Sequence, residues 1–166
     1  MKRGRQLLLM RHAKSDWSFE EPDFDRPLNR RGRRSAKALG DWLRSSGTLP
    51  DEVLCSTSAR TRETLELLDI DAPARFEDQL YHAEPLTVLR ALHHATGNRV
   101  LVIGHNPGFQ EVASRIVAGP PDHPRFQDYP TGATLHARFE IDAWPDAAWG
   151  GATAQAFVIP RELLAE

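Results

Sequence analysis

The stretch Leu7-Leu8-Leu9-Met10-Arg11-His12-Ala13-Lys14-Ser15 decides how this chain is read. Four consecutive apolar residues closed by polar ones predict a buried strand. Arg11 and His12 then fall at its carboxyl end, where open α/β sheets place their ligand crevice. A second run, Arg99-Val100-Leu101-Val102-Ile103-Gly104, ends in the same manner in His105-Asn106-Pro107-Gly108. Two buried strands that deliver two histidines, one of them beside an arginine, point to a site for an anion. Phosphate is the natural candidate, because a planar guanidinium matches its geometry bidentately.

Working outward from these strands, the segment 18–27 is acidic and aromatic, contains two prolines and reads as a loop. Asn29 is placed to cap a helix over 30–46, with Ala36, Leu39 and Leu43 on one face and Gly47 closing it. A short strand over 52–56 follows. The hydroxyls of Ser56-Thr57-Ser58 are suited to capping a helix that runs through Leu65 and Leu68, so Arg60 falls in its first turn. Pro73 breaks the pattern, and Glu84-Pro85 opens a helix with Leu86, Leu89 and Leu92 on one stripe.

After the strand 99–104, Asn106 as N-cap and Pro107 at the first helical position predict a helix to about residue 117, followed by a loop over 120–131. Two last strands, 134–141 and 154–159, have no long helix between them and form an antiparallel hairpin at one end of the sheet. Strands alternating with helices give an α/β class: one three-layer α/β/α domain over 1–166, with a mostly parallel central sheet covered on both faces. The first strand, wholly apolar, is expected near the centre.

The chain has 166 residues, enough for one well-buried core and too few for two ordinary domains. Its 21 Lys+Arg against 23 Asp+Glu leave a formal charge of −2, which argues against a nucleic-acid partner. Basic residues do cluster in Arg30-Arg31-Gly32-Arg33-Arg34, either as the solvated face of a helix start or as a positive rim that steers anions. Cys55 is the single cysteine, so no intrachain disulfide exists. It reads as a small core residue, and a reduced, cytoplasmic location is expected. The start Met1-Lys2-Arg3-Gly4-Arg5 is basic, but the apolar run after it is too short for a secretory core, and no run is long enough to span a membrane.

Arg11-His12, Arg60 and His105 each follow a predicted strand, so all can face one pocket. That set suits phosphoryl transfer through a histidine nucleophile. A neutral imidazole attacks phosphorus, and the arginines and second imidazole stabilise charge on the equatorial oxygens. No cofactor is needed. The seven histidines do not make a metal site by spacing. His93 and His94 are adjacent and diverge on a helix, where they read as exposed residues at its end. His82, His123 and His136 lack an i, i+4 partner, and there is no H-E-x-x-H or cysteine cluster. A G-x-S-x-G elbow and a Gly-rich nucleotide loop are also missing.

At this point the residues resemble the histidine phosphatase superfamily, which includes phosphoglycerate mutases and acid phosphatases, and within it the small SixA-like phosphohistidine phosphatases. Arg11-His12-Ala13-Lys14-Ser15 with Trp17 is similar to the opening motif of that branch. Asp25-Arg26-Pro27-Leu28 with Arg31-Gly32 resembles the next block, Pro50-Asp51 with Ser56-x-x-Ala59-Arg60-Thr61 the third, and Gly104-His105-Asn106-Pro107 the fourth. The resemblance implies a phosphoglycerate mutase-like fold. It also implies that His12 is the phosphorylated nucleophile and that Arg11, Arg60 and His105 complete a metal-free phosphate pocket.

Ser15 stands where the motif often has a hydroxyl that assists substrate binding. Arg26 lies on a loop within reach of substrate, or packs at the helix entry. Ala13 replaces the glycine of the commoner form, as is usual in this branch. Large members protonate the leaving group with a carboxylate. Here Glu84 is the nearest candidate by order, and its other reading is a charge at a helix N-terminus. A protonated imidazole leaves without such help, and the chain has no room for a large inserted cap. Both points lean toward phosphohistidine in a phosphorylated protein. A small phosphorylated molecule, such as a sugar phosphate or nucleotide, is the alternative within enzymes. A catalytically weak phosphate-binding module is the alternative outside them.

Overall fold

The apolar run becomes β1 (Arg5–Arg11), with Leu7, Leu8, Leu9 and Met10 all buried. A strand buried on both faces must be apolar at every position, and alternation then divides its side chains between two cores. Leu7 and Leu9 join one core with Val88, Leu92, Phe109 and Val112. Leu8 and Met10 join the other with Leu39, Leu43, Val53 and Leu68. These positions come from a computed structural model that describes residues 4–18 and 20–164, so the basic start at 1–3 lies outside the described residues.

The remaining elements are α1 (Arg30–Ser45), β2 (Glu52–Ser56), α2 (Ala59–Leu68), β3 (Ala74–Glu77), α3 (Pro85–His93), β4 (Arg99–Gly104), α4 (Gly108–Ile116), β5 (Thr134–Phe139), β6 (Ala152–Val158) and the single turn α5 (Pro160–Leu163). The sheet order is β3-β2-β4-β1-β5-β6. The first four strands in that order are parallel, β5 runs antiparallel to β1, and β6 returns antiparallel to β5. Helices α1, α2 and α5 cover one face, and α3 and α4 the other. The layering, the interior place of β1 and the terminal hairpin agree with the sequence reading.

Four local expectations are corrected. Strand β3 was not expected. Its Ala-Arg-Phe-Glu sequence has no apolar run because it is an edge strand with three of its four residues exposed. Helix α4 begins at Gly108, one residue later than expected, with Pro107 as its N-cap. Asn106 still serves it, since its Oδ1 accepts the Gln110 N–H at 3.1 Å while its Nδ2 donates to the Tyr129 carbonyl at 2.9 Å. Ser58 caps α2 by position without a side-chain cap bond, because its hydroxyl is turned to Thr61 and His105. His93 is not free at the surface: its Nε2 lies 2.8 Å from the Ala147 carbonyl.

Two glycines mark where backbones touch. A Cβ on Gly32 would lie 2.1 Å from the Lys14 carbonyl oxygen, and one on Gly40 would lie 2.2 Å from the Leu68 carbonyl oxygen. The first contact seats the start of α1 against the segment that follows His12. The second lets α1 pack closely on the end of α2.

Candidate active site

Strands β1 and β4 are neighbours and end together, with Arg11 paired to Gly104. The His12 N–H donates to the Gly104 carbonyl at 3.0 Å, which holds the nucleophile candidate at the sheet edge beside His105. The His12 Nδ1 lies 2.6 Å from the Ala13 carbonyl oxygen. A carbonyl only accepts, so Nδ1 carries the proton and Nε2 keeps its lone pair. Arg60 Nε donates toward that Nε2 at 3.3 Å. Burial, with the charges of Arg11 and Arg60 nearby, pushes the His12 pKa down to about 3, against the pull of the Ala13 hydrogen bond. The ring is therefore neutral near pH 7.

His105 faces His12 with ring centroids 5.3 Å apart. Its Nε2 sits 2.8 Å from Ser56 Oγ, a residue at the end of β2. Burial first, then the neighbouring His12 and Arg60, pushes its pKa down to about 2. Its Nδ1 is buried without a hydrogen-bond partner among the described residues, and so is Arg11 Nε. Buried polar atoms seldom stay unpaired in native proteins, and such atoms gather at functional sites. Among the described residues, the Arg11 guanidinium has one hydrogen bond, from Nη1 to the Tyr129 carbonyl at 3.2 Å. Desolvation lowers its pKa, and the charge of Arg60 adds to this.

Arg60 is the second residue of α2 and is buried. Its Nη1 donates to the Asp23 carbonyl at 2.7 Å and its Nη2 to Asp23 Oδ2 at 3.0 Å. The same Oδ2 accepts from Tyr81 Oη at 2.5 Å and lies 3.2 Å from His82 Nε2. Partial burial works against the charge on Asp23, but the bonds from Tyr81 and Arg60 prevail and hold its pKa at about 2. Tyr81 also meets the His105 ring edge-on at 5.3 Å, and Phe24 meets Tyr81 edge-on at 5.1 Å.

The structure thus brings Arg11, His12, Arg60 and His105 into one cluster. Among the described residues, the other expected residues make no hydrogen bond or ion pair with it. Ser15 is buried and bridges by its backbone to Leu28, and its hydroxyl makes no hydrogen bond with the cluster. Arg26 donates to the Asp16 carbonyl at 3.0 Å and stacks 3.7 Å over the Trp17 ring. It is linked to the cluster through Asp23, whose Oδ1 is 4.0 Å from Arg26 Nε.

Glu84 is exposed at the N-cap of α3 and makes no hydrogen bond or ion pair with the four residues. The carboxylate that does reach them, Asp23, was missed, as were Tyr81 and His82. Had β3 been recognised, Tyr81-His82 would have been placed after a parallel strand, on the same sheet edge as the rest. His82 carries a further mark, a left-handed backbone at φ 54.

Among the described residues, no group of three or more His, Cys, Asp or Glu side chains is arranged to hold a metal ion. Cys55 is buried, and desolvation pushes its thiol up to about 12. What the cluster offers is a neutral imidazole nitrogen with a lone pair, flanked by two guanidinium groups and a second neutral imidazole. Such a set can seat a tetrahedral anion and attack its centre.

Comparison with known proteins gives the family of this fold. The sequence profile of the histidine phosphatase superfamily (branch 1) matches residues 7–82. An uncharacterized protein of Mycobacterium tuberculosis is 47% identical over 100 residues, which is 59% of this chain and 63% of that protein's length. An uncharacterized protein of Mycobacterium leprae is 41% identical over 111 residues, covering 63% of this chain and 68% of its own. The fold superposes with TM-score 0.85 and 32% identity on a protein assigned as phosphohistidine phosphatase SixA in Nakamurella multipartitia, over 95% of this chain and 96% of that one. It also superposes with TM-score 0.76 and 22% identity on the protein histidine phosphatase SixA complexed with tungstate, over 95% and 99% of the two chains. By sequence and by fold, this chain belongs to the histidine phosphatase superfamily.

Proposed function

We propose that the chain is a metal-independent phosphatase that works through phosphorylation of His12, with phosphohistidine in a protein as its substrate. The observation that carries this is the His12 ring. Nδ1–H is fixed on the Ala13 carbonyl, and Nε2, 3.3 Å from Arg60 Nε, keeps an unprotonated lone pair. In the first step Nε2 attacks phosphorus while the bond from phosphorus to the substrate ring breaks. The substrate ring departs as a neutral imidazole because its distal nitrogen carries a proton. Arg11 and Arg60 hold the equatorial oxygens. In the second step water attacks phosphorus and the bond to Nε2 breaks. His12 returns as the neutral ring with its Nδ1 proton in place, and dihydrogen phosphate leaves.

The carboxylate environment supports phosphohistidine over an alkyl ester. An alkoxide needs a proton donor. Asp23 is held ionised, and among the described residues Glu84 makes no hydrogen bond or ion pair with the cluster. The relative from Nakamurella multipartitia, assigned as SixA, supports the same substrate. A reduced cytoplasmic setting belongs to this reading and fits the single buried thiol, Cys55.

The test is a labelled phosphohistidine protein mixed with the enzyme and quenched in alkaline denaturant. The wild type should carry a base-stable, acid-labile label. His12→Ala should carry none and should lose turnover. Near-normal turnover by His12→Ala would remove the nucleophile assignment. In a panel of phosphohistidine protein, sugar phosphates and nucleotides, the first should have the highest kcat/KM. A sugar phosphate ahead by tenfold or more would replace the proposed substrate.

A further inference from the structure

Beside the cluster lies a second concavity of about 240 Å³ whose lining includes Lys14, Arg31, Ser35, Arg125, Thr131 and Arg161. Four of these residues are cations and none is an acid. The charges come from separate elements: the segment after β1, the start of α1, the loop before β5 and the turn α5. Arg125 is engaged with Asp128 at 2.8 Å. Among the described residues, the Lys14, Arg31 and Arg161 side chains have no hydrogen bond or ion pair. The nearest other acid along the chain, Glu162, is taken by His123 at 3.1 Å. A chain with net charge −2 has thus gathered, on one concave surface, three cations that have no partner among the described residues. Ser35, buried on α1, adds a hydroxyl.

Two backbone segments that line this concavity also lead to the catalytic cluster. Lys14 is two residues from His12. The Gly132 N–H, one residue from Thr131, donates to the His12 and Arg11 carbonyls at 2.8 and 3.1 Å. Tyr129, next to Pro130 in the same lining, supplies the carbonyl that holds Arg11. A peptide with its phosphorylated histidine over His12 extends about 3.3–3.6 Å per residue, so two or three flanking residues reach across the wall. Three spread cations around an open space suit several carboxylates on a chain better than one compact tetrahedral ion.

We propose that this concavity docks aspartate or glutamate side chains that flank the phosphorylated histidine of the protein substrate. The proposal rests on the phosphohistidine reading of the neighbouring site and specifies which proteins that site accepts.

The experiment uses two phosphohistidine peptides of equal length, one with Asp and Glu at the flanking positions and one with Ser and Gln. Unphosphorylated copies of both are used for binding by fluorescence anisotropy. Wild type should prefer the acidic phosphopeptide by about tenfold in kcat/KM, as expected for a few exposed ion pairs acting together. The preference should shrink as salt rises. Arg31→Ala with Arg161→Ala should bring the ratio near one, mainly through KM, and should weaken binding of the unphosphorylated acidic peptide.

Equal rates and equal binding for the two peptides in wild type would overturn the proposal. So would a double variant that keeps the wild-type ratio. If the acidic unphosphorylated peptide binds through Arg31 and Arg161 but neither phosphopeptide is hydrolysed, the docking site stands and the phosphohistidine substrate falls.

Discussion

At the finest scale two residues bear on the proposed chemistry, His12 and Asp23, and each is set by a neighbour. The Ala13 carbonyl fixes which nitrogen of His12 is protonated, and Arg60 lies against the other. Arg60→Lys keeps the charge but loses the planar fork of donors. Its kcat should drop on the order of a hundredfold, as when a transition-state donor is removed. Full activity would place the phosphate on other groups. Asp23 is the second of them. Its carboxylate and carbonyl occupy two donors of the Arg60 guanidinium, so a phosphate bound there as proposed would compete with an anion already in the chain. Asp23→Asn removes that charge and should tighten inhibition by inorganic phosphate by about three- to tenfold. An unchanged or weaker inhibition constant would show that Asp23 does not compete. The Arg60 and His105 positions were legible because each follows an apolar strand. Asp23 was not, because its loop carries no periodic signal and its partners lie 37 and 58 residues away.

At the scale of elements, the packing of α1 joins stability to the site. Its first turn rests on the Lys14 carbonyl through Gly32, and its later turn rests on the end of α2 through Gly40. Both contacts would be backbone clashes with any added Cβ. Gly40→Ala should lower stability by roughly 1–3 kcal/mol, the usual cost of overpacking, and leave kcat near wild type. Gly32→Ala should cost stability and also turnover, because it pushes on the segment that carries His12. Urea midpoints read alongside kcat separate the two effects, and equal kcat losses in both variants would break the link between Gly32 and the site. The Arg31-Gly32 pair was readable as a motif, yet its reason was not. A close approach between residues 14 and 32 exists only once α1 lies on the sheet. Strand β3 escaped for the opposite reason, since an edge strand with exposed residues leaves no apolar pattern to read.

For the whole molecule, burying two neutral imidazoles makes folding pH-dependent. His12 and His105 have folded pKa values near 3 and 2, against an ordinary value of 6.5. Between pH 6.5 and about 3 the unfolded chain binds protons that the folded chain refuses, so stability falls as pH falls through that window. Above pH 6.5 both states are neutral and this dependence vanishes. His136, also lowered by burial, adds in the same direction. Stability at pH 5.5 should be about 2–3 kcal/mol below that at pH 7.5. Urea unfolding at the two pH values measures the difference, and His12→Asn combined with His105→Asn should shrink it. A flat profile in the wild type would show that these rings are not held neutral.

The sequence alone determined the layers and the strand ends. Continuous apolar runs at 7–10 and 100–103 must be buried on both faces, and that forces a sheet covered on both sides. Four motif residues at the ends of such strands had only one edge to meet at. Tertiary structure alone decided what surrounds them. It turned the Asp23 carboxylate onto Arg60, set Tyr81 and His82 beside His105, and gave Glu84 no hydrogen bond or ion pair with the cluster among the described residues. It also gathered Lys14, Arg31 and Arg161 around one concavity. The physical reason is the range of the forces involved. Burial periodicity is written between residues a few positions apart. A charge or hydrogen bond at the sheet edge depends on side chains that only the folded backbone brings within about 3 Å of one another.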